Sequence, residues 1–342
     1  MRLPALALVA ALAALSPVAA QSAPPATLSL QDLAGRPDRW PTTVQLARDF
    51  QFGGGKHARA GQAVHVVDFD GARVTVEAGE LYFDLAPSEC DLLDAANRAW
   101  TALTTDQRKV DAELLARDAS LWPEAVACSA GFVLEDGTEL PPGGEFELLY
   151  FDRDGVKLYS RAHETTLFAE LAQTDLVARA RARALIEPAK RPSRVAAALK
   201  GALVDSQGKA LDGAQDAELY VLYFGASWCG PCRKFSPGLV RFVNESAGTN
   251  PRLAVMLMSG DEKDADMLEY MKEEKMPWPA MPLARLQKTP LFLSQSAGYI
   301  PHLVVMDRHG LVLASGLENG QYVGPERPFA ELETLVAAGR AK

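Results

Sequence analysis

The chain has 342 residues, with 35 basic and 44 acidic side chains, a formal net charge of −9 and 4 cysteines. A composition that is 48% hydrophobic and 23% charged is that of a globular protein; it excludes a disordered or fibrous chain, and the length calls for two or three domains. The acidic balance supplies no basic footprint for nucleic acid, and four cysteines are too few to replace a core with a disulfide scaffold.

Residues 1–20, MRLPALALVAALAALSPVAA, combine one arginine, an apolar run over 3–15 and a small-residue end at Val18-Ala19-Ala20. This pattern predicts an export signal cleaved near Ala20, because the run is shorter than the roughly 18 residues that cross a bilayer. The expectation is a mature protein, soluble in an oxidising compartment, either a periplasm or the extracellular space.

A repeat follows. Trp40-Pro41, Val44, Phe50, Gly61 and Asp70 recur 82 residues later as Trp122-Pro123, Val126, Phe132, Gly143 and Asp152. Asp91-Leu92 and Asp175-Leu176 are 84 apart, which matches Gly71 to Gly155 and places two extra residues in the turn after Asp152. Two units result, 36–102 and 118–186. The first has β-type runs at 44–52, 63–69, 73–77 and 81–85; the second has them at 126–134, 145–151, 156–160 and 165–169. Helix-like segments at 91–102 and 174–186 close the units. Such short strands predict two small all-β barrels, closed or half-open. Their layout resembles the SH3-like barrels attached to exported bacterial proteins, a resemblance of strand order only. It implies a peptide, proline-rich or cell-wall ligand held by Trp40, Trp122, Tyr82 and Phe83; the competing reading makes these rings core, which the recurring Trp-Pro favours. The basic run Arg179, Arg181, Arg183, Lys190, Arg191 and Arg194 falls on a helix end and a proline-containing linker, 187–199, and reads as solvated.

Residues 218–224, ELYVLYF, form an apolar run of the kind buried on both faces of a parallel sheet, and lead into Trp228-Cys229-Gly230-Pro231-Cys232. A helix pattern continues over 233–246. At such a strand-to-helix junction the first cysteine meets unpaired N–H groups and the helix dipole, which favour its thiolate, and the second lies one turn in, in reach of a mixed disulfide. Zinc would need four ligands, and no second CxxC or close Cys/His pair is present, so no metal is expected.

WCGPC is the thioredoxin signature, and the run from Tyr223 to Pro237, YFGASWCGPCRKFSP, resembles the tryparedoxin and nucleoredoxin branch of that superfamily. Met276-Pro277-Trp278-Pro279-Ala280-Met281-Pro282 is similar to a second segment of that branch, and Ile300-Pro301-His302-Leu303 stands where the superfamily has its cis-proline loop. The resemblance covers about 140 residues of the stretch 200–342. It implies an α/β thioredoxin-like fold, a central mixed sheet flanked by helices. It further implies that Cys229 attacks a substrate disulfide and Cys232 resolves it, that Trp228, Gly230 and Pro231 shape the active-site loop, and that Ile300 and a cis Pro301 pair with the substrate backbone. The redox-active pair would be the only cofactor.

The sequence departs from the family at two positions. Tyr223 stands where thioredoxins carry a buried aspartate, which leaves open the acid or base for Cys232. His302 replaces a threonine; it either tunes the thiols or, by strand alternation, turns into the fold. Cys90 and Cys128 either link the two repeats in a disulfide or are isolated small hydrophobes.

The expected function is that of an exported thiol–disulfide oxidoreductase that reduces protein disulfides, since Gly-Pro between the cysteines matches reducing members of the superfamily. Re-reduction would require a membrane electron donor resembling DsbD. The alternatives are a peptide- or wall-binding adaptor with the thioredoxin-like domain accessory, and an oxidant or isomerase.

Overall fold

The structure, a computed structural model, describes residues 24–152, 155–212, 216–247 and 252–340. The expected export signal lies outside the described residues. Among them no helix is long and apolar enough to cross a membrane.

In the first unit, Thr43–Gln45 (β1), Ala63–Phe69 (β2), Val74–Ala78 (β3) and Leu81–Leu85 (β4) form an antiparallel sheet in that order, followed by the helix Leu92–Thr101 (α1). Val64, Val66, Val74 and Val76 point inward with Leu92, Ala96 and Trp100 of the helix. Strict alternation along β2 would turn Asp68 inward as well. A register shift between Val66 and Asp68 puts Phe69 in the core instead.

The second unit repeats this arrangement with Ala125–Ala127 (β5), Glu145–Asp152 (β6), Gly155–Ser160 (β7), Thr165–Ala169 (β8) and the helix Leu176–Ala184 (α2). Its register shift falls between Leu148 and Tyr150, the corresponding place. The ladders also correct the position of the insertion. Phe69 faces Val74 and Phe151 faces Val156, so the turn after Asp152 has the same length as its counterpart. Ala78 faces Leu81, whereas Ser160 faces Thr165, so the two extra residues lie in the turn 161–164. The match of Gly71 with Gly155 was compositional, because Gly155 is a ladder residue paired with Asp152.

Of the expected barrels, closed or half-open, no closed one is found among the described residues. After the fourth strand each chain passes through a short 3-10 turn, Pro87–Glu89 or Leu171–Gln173, straight into its helix. Only one bridge therefore returns to the first strand, Leu46 to Cys90 in one unit and Cys128 to Thr174 in the other. Each unit is an open four-stranded sheet backed by a helix. Trp40 and Trp122 serve the core. Their indole N–H groups donate to the carbonyls of Leu33, at 2.6 Å, and Leu115, at 2.8 Å. Phe83 packs on Phe50 and Phe52, and only Tyr82 of the four candidate ligand aromatics is exposed.

The basic run is not a solvated linker. Arg181 donates to the carbonyls of Asp38, at 2.8 Å, and Val110, at 3.3 Å, and lies over the Trp100 ring, so it joins the two units. Arg191 donates to Ser120 Oγ at 2.6 Å. Arg194, at the start of the helix Arg194–Leu199 (α3), is buried; it donates to the carbonyl of Leu148 and, at 3.2 Å, to that of His309. Burial pushes its guanidinium down to about 10, with Glu147 opposing. A guanidinium has five donors, enough to serve two carbonyls at once. Lys190 alone of the linker cations is exposed with an exposed partner, Glu187.

The C-terminal sheet has five strands. Leu219–Gly225 (β9) lies at its centre, parallel to Leu253–Ser259 (β10) and antiparallel to His302–Asp307 (β12); Ala280–Met281 (β11) and Val312–Ser315 (β13) are the edges. Tyr220, Leu222 and Phe224 face a layer that includes Val195, Leu199 and Phe292. Val221 and Tyr223 face the helices Gly230–Ala247 (α4), Asp264–Glu273 (α5) and Glu326–Arg340 (α6) through Leu239, Tyr270 and Leu332. Burial on both faces explains the unbroken apolar run. This mixed sheet between helices ends β9 at the mouth of α4, where the cysteines lie.

Candidate active site

Cys229 and Cys232 are joined in a disulfide, with Cα atoms 5.2 Å apart. Gly230 opens α4, so Cys229 immediately precedes the helix and Cys232 lies in its first turn. Cys232 is buried and Cys229 nearly so, while Trp228 is 70% exposed beside them and Gly230 and Pro231 are exposed. The N–H of Cys232 points at Cys229 Sγ at 3.1 Å. Cys229 thus stands at the N-terminal end of α4, where unpaired N–H groups and the helix dipole favour negative charge.

Beneath the pair there is a cluster of hydroxyls where the superfamily has its carboxylate. Tyr223, Ser236 and Tyr270 are mutually hydrogen-bonded, at 2.9 Å for Tyr223 with Ser236, 2.7 Å for Ser236 with Tyr270 and 3.1 Å for Tyr223 with Tyr270. Ser236 Oγ donates to the carbonyl of Cys232 at 2.9 Å. Burial raises both phenols above their usual range, so they remain protonated donors. The Tyr223 ring folds back under Gly225, where a Cβ would lie 3.0 Å from Cζ and 3.1 Å from the hydroxyl oxygen. Glycine is the residue that leaves this space.

A buried carboxylate does approach the loop, from another strand. Asp261, after β10, accepts from the backbone N–H of Ser227 and, at 2.6 Å, from its hydroxyl, while Ser259 Oγ donates to its other oxygen at 3.1 Å.

The peptide bond Ile300–Pro301 is cis. The carbonyl oxygen of Ile300 lies 3.7 Å from Cys229 Sγ, which brings the second loop against the disulfide. His302 turns into the fold, as strand alternation requires. It is fully buried, its Nε2 lies 3.1 Å from the carbonyl of Gln295, and burial pushes its pKa down to about 4. Cys90, half-buried against the core of the first unit, and Cys128, buried in that of the second, are free thiols, and burial raises the pKa of both; the disulfide between them is not formed. Among the described residues, no group of three His, Cys, Asp or Glu side chains is disposed to hold a metal ion.

Three residues of this constellation are invisible to motif reading: Tyr270, Asp261 and Tyr322, whose hydroxyl donates to the Pro301 carbonyl; Ser236 lies within the run from Tyr223 to Pro237, which assigns it no role. Ser236 does follow Cys232 by one helical turn, a spacing that places it on the same face. Asp261 belongs to none of the motifs.

Comparison with known proteins agrees with this geometry. Residues 216–312 match the family model described as Thioredoxin-like. Probable nucleoredoxin 1 of Arabidopsis thaliana is 38% identical over 103 residues, which span 29% of this chain and 16% of that protein. Tryparedoxin of Trypanosoma brucei brucei is 39% identical over 80 residues, 23% of this chain and 54% of the relative. The solved tryparedoxin structure from Trypanosoma brucei has 32% identity over 34% of this chain and 81% of its own length, with a TM-score of 0.29. This chain thus spans about half or less of the length of these two curated relatives. The fold and site define a thioredoxin-like oxidoreductase domain. Its homologues include nucleoredoxins and tryparedoxins, and it is preceded here by two sheet-rich units that these matches do not cover.

Proposed function

We propose that the protein is an exported thiol–disulfide oxidoreductase that reduces protein disulfides with Cys229 and Cys232. The observation that carries this reading is the disulfide at the mouth of α4, with Cys232 N–H on Cys229 Sγ and the Ile300 carbonyl alongside. Reduced Cys229, as thiolate, attacks one sulfur of a substrate disulfide; the other sulfur leaves as a thiolate and takes a proton. Cys232 then loses its proton and attacks Cys229 Sγ, which releases the second substrate thiol. Two electrons pass to the substrate, and the protein is left with the Cys229–Cys232 disulfide. Trp228 and the Ile300-Pro301 pair would present the sulfur and the backbone edge to the substrate.

Export rests on the signal pattern in residues 1–20, and in an oxidising compartment the two electrons must be returned by a membrane donor of DsbD type. The adaptor alternative gains little from the fold, because Trp40 and Trp122 are committed to Leu33 and Leu115.

Insulin reduction by dithiothreitol tests the chemistry: the wild type accelerates precipitation and Cys229→Ser does not, and equal rates would sink the reading. The reduction potential tests the direction. A value near that of thioredoxin, about −270 mV, fits a reductase, and one near about −120 mV would make the protein an oxidant. A mature N-terminus at Gln21 in the exported protein tests the signal.

A further inference from the structure

The loop that faces Cys229 is held by a hairpin that the sequence motifs do not include. After β13 the chain forms Leu317–Glu318 (β14) and Gln321–Tyr322 (β15), paired with Leu317 opposite Tyr322. The hairpin is tied to the sheet at its base. Gly316 N–H donates to the carbonyl of Leu303 at 3.0 Å, and Val323 N–H donates to that of Gly316 at 2.8 Å. A Cβ on Gly316 would lie 2.7 Å from both the Gly324 carbonyl oxygen and His302 Nδ1, so the hairpin packs directly on His302.

From this hairpin Tyr322 reaches the proline loop in two ways. Its hydroxyl donates to the carbonyl of Pro301, and its ring stacks on Tyr299 with centroids 5.1 Å apart and planes at 22°. The Pro301 carbonyl lies one residue ahead of the β9–β12 ladder, which begins at the pair Phe224 with His302. The sheet therefore does not fix it, and Tyr322 does. Between these two anchors, Tyr299 and Pro301, sits Ile300, whose carbonyl is 3.7 Å from Cys229 Sγ.

We propose that Tyr322 is a positioning residue that, through Pro301 and Tyr299, holds the backbone of Ile300 in the geometry that receives a polypeptide disulfide at Cys229. This rests on the redox reading of the site. Tyr322 touches neither sulfur, so it acts on the docking of an extended polypeptide and not on thiol chemistry. A polypeptide substrate needs the backbone of Ile300 to pair with its own, whereas a small disulfide needs only access to the sulfur.

Tyr322→Phe removes the hydroxyl and keeps the ring; Tyr299→Ala removes the stack and keeps the hydroxyl bond. For Tyr322→Phe in the full chain, the expected result is a severalfold rise in KM for insulin with kcat within about twofold. The loss is at least threefold greater on insulin than on 5,5′-dithiobis(2-nitrobenzoate), and the pH profile of Cys229 alkylation does not move. Amide hydrogen exchange across 299–303 quickens in both variants. An unchanged insulin KM, an equal loss on both disulfides, or unchanged exchange overturns the proposal. Failure of the wild type to reduce insulin would count against the redox reading instead, and the exchange measurement would still decide whether Tyr322 holds the loop.

Discussion

Asp261 accepts both the backbone N–H and the hydroxyl of Ser227, at 2.9 and 2.6 Å, and so binds the loop that carries the cysteines to the end of the neighbouring strand β10. Cys229 is two residues along that loop. A buried negative charge at this range opposes a second one on the sulfur.

Asp261→Asn keeps a carbonyl acceptor for Ser227 and removes the charge. The Cys229 thiol should become more acidic, by about tenfold, and the reduction potential should rise. Thiolate absorbance against pH, together with equilibration against glutathione, measures both. A thiol that becomes less acidic would show that Asp261 acts only as a tether.

His302 predicts an acid-labile fold. Its folded pKa of about 4 lies below the ordinary histidine value of 6.5. Both states are neutral above that value. Below it the unfolded chain takes up a proton that the folded chain refuses until about 4, so stability falls as the pH drops through this window. Denaturant midpoints at neutral and mildly acid pH should therefore converge in His302→Gln relative to the wild type. Parallel loss in both proteins would place the acid sensitivity elsewhere.

Arg194 joins the second sheet unit to the C-terminal domain through the carbonyls of Leu148 and His309. Arg194→Ala leaves both without this donor, while Glu147 keeps its ion pair with Arg161 at 2.6 Å; two buried carbonyls that lose their partner cost about 3 kcal/mol. Calorimetry should show unfolding split into separate transitions for the two parts. Arg194→Lys should fail to restore a single one, because an ammonium cannot fork to two carbonyls as a guanidinium does.

The parts of this protein that sequence reading reaches are those written in contiguous residues. The run from Leu219 to Gly225 announces a doubly buried strand, and WCGPC directly after it announces a redox helix mouth. The 82-residue repeat is legible because Trp40 and Trp122 perform the same task. The position of the two-residue insertion is not legible, because a glycine match carries no information about strand register. The arginines of α2 and the linker read as solvated because composition counts their charges and cannot show that carbonyls await them. Asp261 and Tyr322 reach the site from 34 residues beyond Ser227 and 21 beyond Pro301, across strands whose pairing no local pattern declares.

The indole latches have a consequence for how this chain can be taken apart. Trp40 closes on Leu33 and Trp122 on Leu115, each seven residues upstream. A fragment that begins at residue 36 or 118 discards the carbonyl its own tryptophan needs, and in the second unit that indole is fully buried. The seams for grafting, swapping or expressing either unit alone therefore fall before the short helices Leu30–Leu33 and Ala112–Arg117. The piece that travels as a module is longer at its front edge than the strands suggest.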